Sequence, residues 1–275
     1  MALTEYQRGI CQLIAANRRA HGESYVAGGV ALNTLLNTPR LSRDIDLFHD
    51  TDAALLTSWV ADRQLLQAAG YRVAVVREAA AFVEAVVSRN DESVLMQWTR
   101  DSAFRFFPLV EDDLLGLVLH PFDLATNKVL ALAGRLEARD WIDVLNCHDY
   151  IQPLGYLVWA ACGKDPGFSP TSLLAAARRG SRYSQIELDE LAFAGTPPDA
   201  RTLGAKWHVI LQEAALICDL LPTAEVGTCV ITTAGELYRG LAADLSTALE
   251  NGHVLFHGGT IRGVLPRIKG PVNGT

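Results

Sequence analysis

The sequence predicts an α+β fold in two parts, a mixed sheet flanked by helices followed by a mainly helical region. Three observations carry this. The first hundred residues alternate helical and strand-like patterns, opening helix–strand–helix–strand and continuing as strand-like runs separated by turns. From Pro121 onward the composition changes to helix formers. A chain of 275 residues also exceeds the usual size of a single domain, so the parts are expected at 1–120 and 121–275.

In order, residues 4–20 carry Tyr6, Ile10, Leu13, Ile14 and Asn17 at helical spacing, and Gly22 is a stop signal. An apolar run then enters Gly28-Gly29, an amphipathic segment runs from Val30 to Leu36, and a second strand carries Asp44 and Asp46. Asp52 is placed to cap a helix through about Ala69, with Leu55, Leu56, Trp59, Val60, Leu65 and Leu66 as its apolar stripe and Gly70 at its end. Strands are predicted at 71–77, 81–87, 94–99 and 104–110, with hairpin turns at Asn90-Asp91 and Arg100-Asp101-Ser102. Helical spacing runs through 121–140 and continues from 135 to 150, and further helices follow at 154–162, 172–179, 186–193, 203–221 and 234–250, with breaks at Pro197-Pro198 and Pro222. Residues 253–268 read as a hairpin about Gly258-Gly259.

With 49% hydrophobic and 20% charged residues the chain can bury a sizeable core. Its net charge of -7 excludes a protein that coats nucleic acid through its whole surface, but leaves room for a local basic face. Arg178, Arg179 and Arg182 form one cluster and Arg262, Arg267 and Lys269 another; each reads as solubilising or as nucleic-acid binding. The cysteines at 11, 147, 162, 218 and 229 form no Cys-x-x-Cys pair and no metal spacing, which suits a reduced cytoplasmic protein. No uninterrupted apolar stretch reaches ~18 residues and the N-terminus lacks a signal pattern, so no membrane association is expected. His148, His208, His253 and His257 have no ligand spacing and read as structural or surface residues.

The stretch from Tyr25 to Phe48 carries the chemistry. Glycines let backbone N–H groups approach phosphate oxygens, and a helix starting directly after them favours a bound anion. Positions i and i+2 of a strand share a face, so Asp44 and Asp46 project together while Ile45 and Leu47 face the core. Adjacent carboxylates repel each other, and a divalent cation relieves that repulsion while taking nucleotide oxygens as further ligands. The bland reading is a tight strand–helix turn and two solvated acids.

The joint pattern, Gly-Gly followed by Ser42-Arg43-Asp44-Ile45-Asp46-Leu47-Phe48, resembles the signature of the polymerase-β-like nucleotidyltransferases. It is most similar to the AbiEii/AbiGii group of toxins, which includes the MenT toxins. Lys128 on a helix followed by Arg139-Asp140-x-x-Asp143 resembles the second half of that signature, whose alternative is a surface helix laced with ion pairs. The resemblance implies a polymerase-β-like domain followed by a helical domain that completes the active site. It implies NTP as substrate, Mg²⁺ (alternatively Mn²⁺) on Asp44 and Asp46, and nucleotide contacts from Gly28, Gly29, Arg43 and Lys128. Asp143 would be an outlying catalytic carboxylate and Asp140 would hold Arg135 or the helix. It further implies a toxin that modifies the tRNA 3′ end, a cognate antitoxin, and Ser42 as a site of inhibitory phosphorylation or, alternatively, a cap of the turn. One departure stands out: the later strand that carries a third carboxylate in the superfamily offers Gln97, a poor Mg²⁺ ligand and no base, with Glu84 as the other inward-pointing option. A small-molecule nucleotidyltransferase of the aminoglycoside-modifying type and a non-catalytic nucleotide-binding module are the competing readings.

Overall fold

The computed structural model describes residues 3–179 and 183–267; Arg182 and Lys269 of the basic clusters lie outside the described residues. The chain divides into two compact units. Neither is contiguous, in contrast to the expected 1–120 and 121–275. The first takes Met1–Ala103, Pro108–Leu124 and Ile186–Pro198; the second takes Phe104–Phe107, Ala125–Gln185 and Asp199–Thr275.

The first unit opens with α1 (Glu5–His21), which begins at a reciprocal cap: the Thr4 hydroxyl accepts from the Gln7 N–H at 3.2 Å and the Gln7 side chain accepts from the Thr4 N–H at 3.0 Å. Gly22, at φ 68°, ends it as expected. There follow β1 (Ser24–Val26), α2 (Gly28–Leu35), β2 (Asp44–His49), α3 (Asp52–Ala68), β3 (Arg72–Ala79), β4 (Phe82–Arg89) and β5 (Glu92–Arg100). After β6 (Phe104–Arg105), which belongs to the second unit, β7 (Val110–Asp112) and β8 (Gly116–Val118) complete a mixed seven-stranded sheet in the order β3-β4-β5-β2-β1-β8-β7. Within it β2 runs parallel to β5 and antiparallel to β1.

Strict alternation gives β2, β4 and β5 one buried and one half-buried face. Ile45, Leu47, Val83, Ala85, Met96 and Trp98 are buried beneath α1 and α3, with the Trp59 and Trp98 rings edge to face at 4.8 Å. Each of the larger aliphatic side chains among them contributes ~1.5–3 kcal/mol by leaving water. Arg18 of α1 pairs there with Asp62 of α3, both fully buried, and Asp62 also accepts from Asn17 at 2.8 Å and from the Trp98 indole at 2.9 Å. This network ties both helices to the sheet. The cap of α3 is Thr51 rather than Asp52: its hydroxyl accepts the Ala54 N–H at 3.0 Å, leaving Asp52 in the first turn, where the helix dipole favours an acid. Asn90, at φ 55°, makes the expected β4–β5 turn.

The second unit holds most of α4 (Pro121–Arg135), then α5 (Ala138–Tyr150), α6 (Leu154–Lys164) and α7 (Pro170–Arg179). After α8 (Gln185–Asp189), which except for Gln185 belongs to the first unit, come α9 (Ala200–Leu220), β9 (Cys229–Thr232), α10 (Ala242–Glu250), β10 (Val254–His257) and β11 (Thr260–Ile261). Its core gathers Tyr156, Trp159, Ile217, Leu221, Val230, Leu245 and Val254. Polar tips inside it are matched: the Tyr156 hydroxyl donates to the Gly240 carbonyl and the Trp159 indole to the Glu225 carbonyl, both at 2.7 Å.

Four local expectations are corrected. Residues 100–102 are no hairpin turn, because β6 pairs with β11 instead of continuing the sheet. Residues 253–268 do not fold on themselves either: β10 pairs with β9, which buries Val254 against Val230. The helix expected from 234 starts only at Ala242, since the preceding turn returns onto β9 through Thr232 N–H to the Glu236 carbonyl at 2.7 Å and Tyr238 N–H to the Val230 carbonyl at 3.1 Å. The helix expected at 186–193 ends at Asp189, because Ala192 and Ala194 form extended hydrogen bonds with Leu41 and Pro39. Among the described residues no helix is long and apolar enough to cross a membrane.

Candidate active site

In the first unit the site is built where β1 turns into α2. Ala27 donates its N–H to the Asp46 carbonyl at 3.2 Å, which locks the end of β1 to β2. Gly28 follows at φ 68°, and a Cβ there would collide with the Asp46 carboxylate. Only glycine both adopts this backbone and leaves that space. Gly29 is crowded too, since a Cβ would lie 2.6 Å from Ser42 Oγ and 2.7 Å from Arg40 Nη2. The N-cap Ala27 has no side-chain cap, so the amides at the start of α2 keep their capacity for an anion. Asn33 staples this turn from below, donating to the Gly29 carbonyl at 2.8 Å while accepting from the Thr38 hydroxyl.

Asp44 and Asp46 lie on the half-buried face of β2, as the alternation requires, with Ile45, Leu47 and His49 on the other. Burial lowers the His49 pKa to about 4 although its Nδ1 lies 3.2 Å from the Thr99 carbonyl, so the imidazole is neutral and belongs to the core. Across the acidic face the register sets Asp44 beside Leu95 and Asp46 beside Gln97, and Gln97 beside Glu84 on β4. Gln97 Nε2 donates to Glu84 Oε2 at 2.8 Å. Among the described residues no group of three or more His, Cys, Asp or Glu is disposed to hold a metal. Asp44 and Asp46 nevertheless fit a hard divalent ion: two carboxylate donors share one half-buried face, and the missing Cβ of Gly28 makes room for the carboxylate of Asp46.

Ser42 is not part of β2, which starts at Asp44, so strand alternation does not orient it. Its place is set by packing against Gly29 and by Gln7 of α1, whose amide donates to the Ser42 carbonyl at 2.9 Å. Arg43 is exposed and donates to the Glu190 carbonyl at 2.7 Å. Arg40, unmarked by the sequence reading, is the buried cation here: its guanidinium lies against Gly29, and its backbone is pinned by a bridge to Phe193. Its signal was present in the run Pro39-Arg40-Leu41-Ser42, but what buries it is a partner about 150 residues away.

In the second unit α4 and α5 bring Lys128, Arg135, Asp140 and Asp143 together. Lys128 Nζ stands 3.0 Å from Asp140 Oδ1 and 2.8 Å from Asp143 Oδ2, and both carboxylates are fully buried. Arg135 reaches Asp140 through Nε at 2.7 Å and Nη2 at 3.1 Å. Burial alone would raise the Asp140 pKa, but Lys128 and then Arg135 outweigh it and hold the carboxyl below its ordinary value. The thiol of Cys147 is pushed well up by burial and secondarily by Asp143, so it is no nucleophile. The five cysteines form no disulfide.

No protein-family model matches the chain, and no curated protein does. Solved structures do. A candidate nucleotidyltransferase from H. pylori is 14% identical over 78% of this chain and 96% of its own, with a TM-score of 0.51. JHP933 from Helicobacter pylori is 15% identical over 79% and 94%, also at 0.51. MenT4, a nucleotidyltransferase toxin from Mycobacterium tuberculosis, is 17% identical over 78% and 83%, again at 0.51. The fold of this chain is therefore that of the nucleotidyltransferases, with the Gly-Gly turn and the Asp-x-Asp strand side by side in its sheet.

Proposed function

We propose that the protein transfers a nucleoside monophosphate from an NTP to an acceptor hydroxyl. The carrying observation is the juxtaposition of Asp44 and Asp46 on one strand face with the Gly28-Gly29 turn, where the Asp46 carboxylate lies against Gly28. Asp44 and Asp46 would hold Mg²⁺ or Mn²⁺, which when bound neutralises the triphosphate and polarises the α-phosphoryl group. The amides at the start of α2 and the Arg40 guanidinium bind and orient phosphate oxygens. The acceptor oxygen forms a bond to the α-phosphorus in line with the breaking α–β bridge, pyrophosphate leaves, and the acceptor proton passes to solvent or a carboxylate. The sequence resemblance alone assigns Lys128 to charge on the leaving phosphates; within its own unit Asp143, 2.8 Å from it, positions that ammonium. Arg43, exposed and bonded to the Glu190 carbonyl, keeps the nucleotide-binding role the resemblance implies.

The biological reading is a toxin that modifies the tRNA 3′ end in the cytoplasm and is neutralised by a cognate antitoxin; it is supported by the sequence resemblance and by the likeness to MenT4. Ser42, packed against Gly29, is the proposed regulatory phosphorylation site, since a phosphoserine there brings about -1.5 to -2 charge to the turn that would take the triphosphate. A second reading, a nucleotide-binding module without catalysis, is favoured by Gln97 at the place of a third acid. Incubation with labelled NTPs, bulk tRNA and an aminoglycoside separates the readings. Labelled tRNA that disappears with Asp44→Ala supports both the transfer and the tRNA reading; labelled drug alone overturns the tRNA reading, and no product at all overturns the proposed transfer.

A further inference from the structure

Gln97 stands in the middle of a row. Strands β4, β5 and β2 lie side by side, so Glu84 neighbours Gln97 and Gln97 neighbours Asp46, all on the half-buried face. A side-chain amide has one donor end and one acceptor end, and an ionised carboxylate only accepts. Which end of Gln97 faces Glu84 is therefore dictated by charge: the NH₂ group donates to Glu84 Oε2 at 2.8 Å. The carbonyl oxygen is the end left over, and it accepts no hydrogen bond from the described residues.

We propose that Gln97 Oε1 is the third protein oxygen of the divalent-ion site, and that Glu84 is the positioning residue that holds the amide with this oxygen turned to the acidic face. The inference rests on the reading of Asp44 and Asp46 as the metal-bearing pair. A superfamily-type site with three carboxylates brings three negative charges; this one brings two, plus a neutral oxygen. Hard cations accept amide oxygens but bind them more weakly than carboxylates, and an amide takes no proton from the acceptor hydroxyl. The Glu84 charge stays one strand away, used to orient the amide. The site thus favours a single, loosely held ion and has no base on β5.

Mn²⁺ titration of the full-length protein without nucleotide, followed by electron paramagnetic resonance, tests this independently of any turnover. Gln97→Leu removes the oxygen and is expected to weaken Mn²⁺ binding about tenfold. Gln97→Glu restores a third carboxylate and is expected to tighten it by about tenfold or more. Glu84→Gln, which lets the amide turn over, is expected to fall between wild type and Gln97→Leu; outer partners of ligands typically govern such 10–100-fold effects. Gln97→Glu keeps the test alive if Gln97→Leu does not fold. If Asp44→Asn loses the ion while both Gln97 variants bind it as wild type does, the role of Gln97 is refuted and the acidic pair stands. If Asp44→Asn binds Mn²⁺ unchanged, the acidic pair falls and this inference falls with it.

Discussion

The protein carries two pairs of aspartates near the residues that matter, and they are built on opposite principles. Asp44 and Asp46 sit at i and i+2 on a strand, half-buried on an open sheet face. Asp140 and Asp143 sit at i and i+3 on a helix, at zero side-chain exposure, with the Lys128 ammonium between them and Arg135 on the outer side. A carboxylate that water still reaches can exchange one ligand for another; one that water cannot reach needs a fixed counter-charge to remain ionised. The strand pair is thus suited to a ligand that comes and goes, and the helix pair to holding a cation in one place.

The largest effect that would break this comparison is on stability. Lys128→Ala leaves two buried carboxylates facing one another and is expected to cost ~3–5 kcal/mol in urea unfolding. A variant as stable as wild type would show that the helix pair is not held by this ammonium. Lys128 is also the residue assigned to the leaving phosphates, so its burial puts stability at stake there as well as NTP use.

Acid sharpens the comparison next. His49 has a folded pKa of about 4 against an ordinary value near 6.5, so between these values the unfolded chain takes up a proton that the folded one does not. Its contribution is complete above about pH 6.5 and falls as the pH drops, by about 3 kcal/mol at pH 4. Asp140 has a depressed folded value, so its contribution is present above the ordinary carboxylate range and is lost only as the pH falls below it. Stability curves should therefore fall in two stages, and His49→Gln should flatten the first and spare the second.

Smaller again is Arg135→Ala. Its side chain is 48% exposed, so loss of its two contacts with Asp140 is expected to cost only ~1 kcal/mol, provided Lys128 remains. The smallest stability effect belongs to the strand pair: Asp44→Ala should stay within ~0.5 kcal/mol of wild type in thermal melts while nucleotidyl transfer disappears. Retained transfer would refute the proposed metal role, and a large loss of stability would erase the contrast between the two pairs.

Much of this was legible in the sequence because it is local. The αL stop at Gly22, the Asn90 turn and the alternation of 44–49 are each encoded within a few residues, by backbone freedom or a period of two. The shared face of Asp44 and Asp46 follows from strand geometry alone. Tertiary structure decided what depends on distant partners. The pairing of 104–105 with 260–261 and of 229–232 with 254–257, and the burial of Arg40 beneath a bridge to Phe193, rest on which surfaces find each other in the core. No local pattern distinguishes a strand that will pair with its neighbour from one that will pair with a segment 155 residues away. The same holds for Gln97. Its identity and its place on β5 were readable, but that Glu84 takes its NH₂ end follows only from the register of the strands.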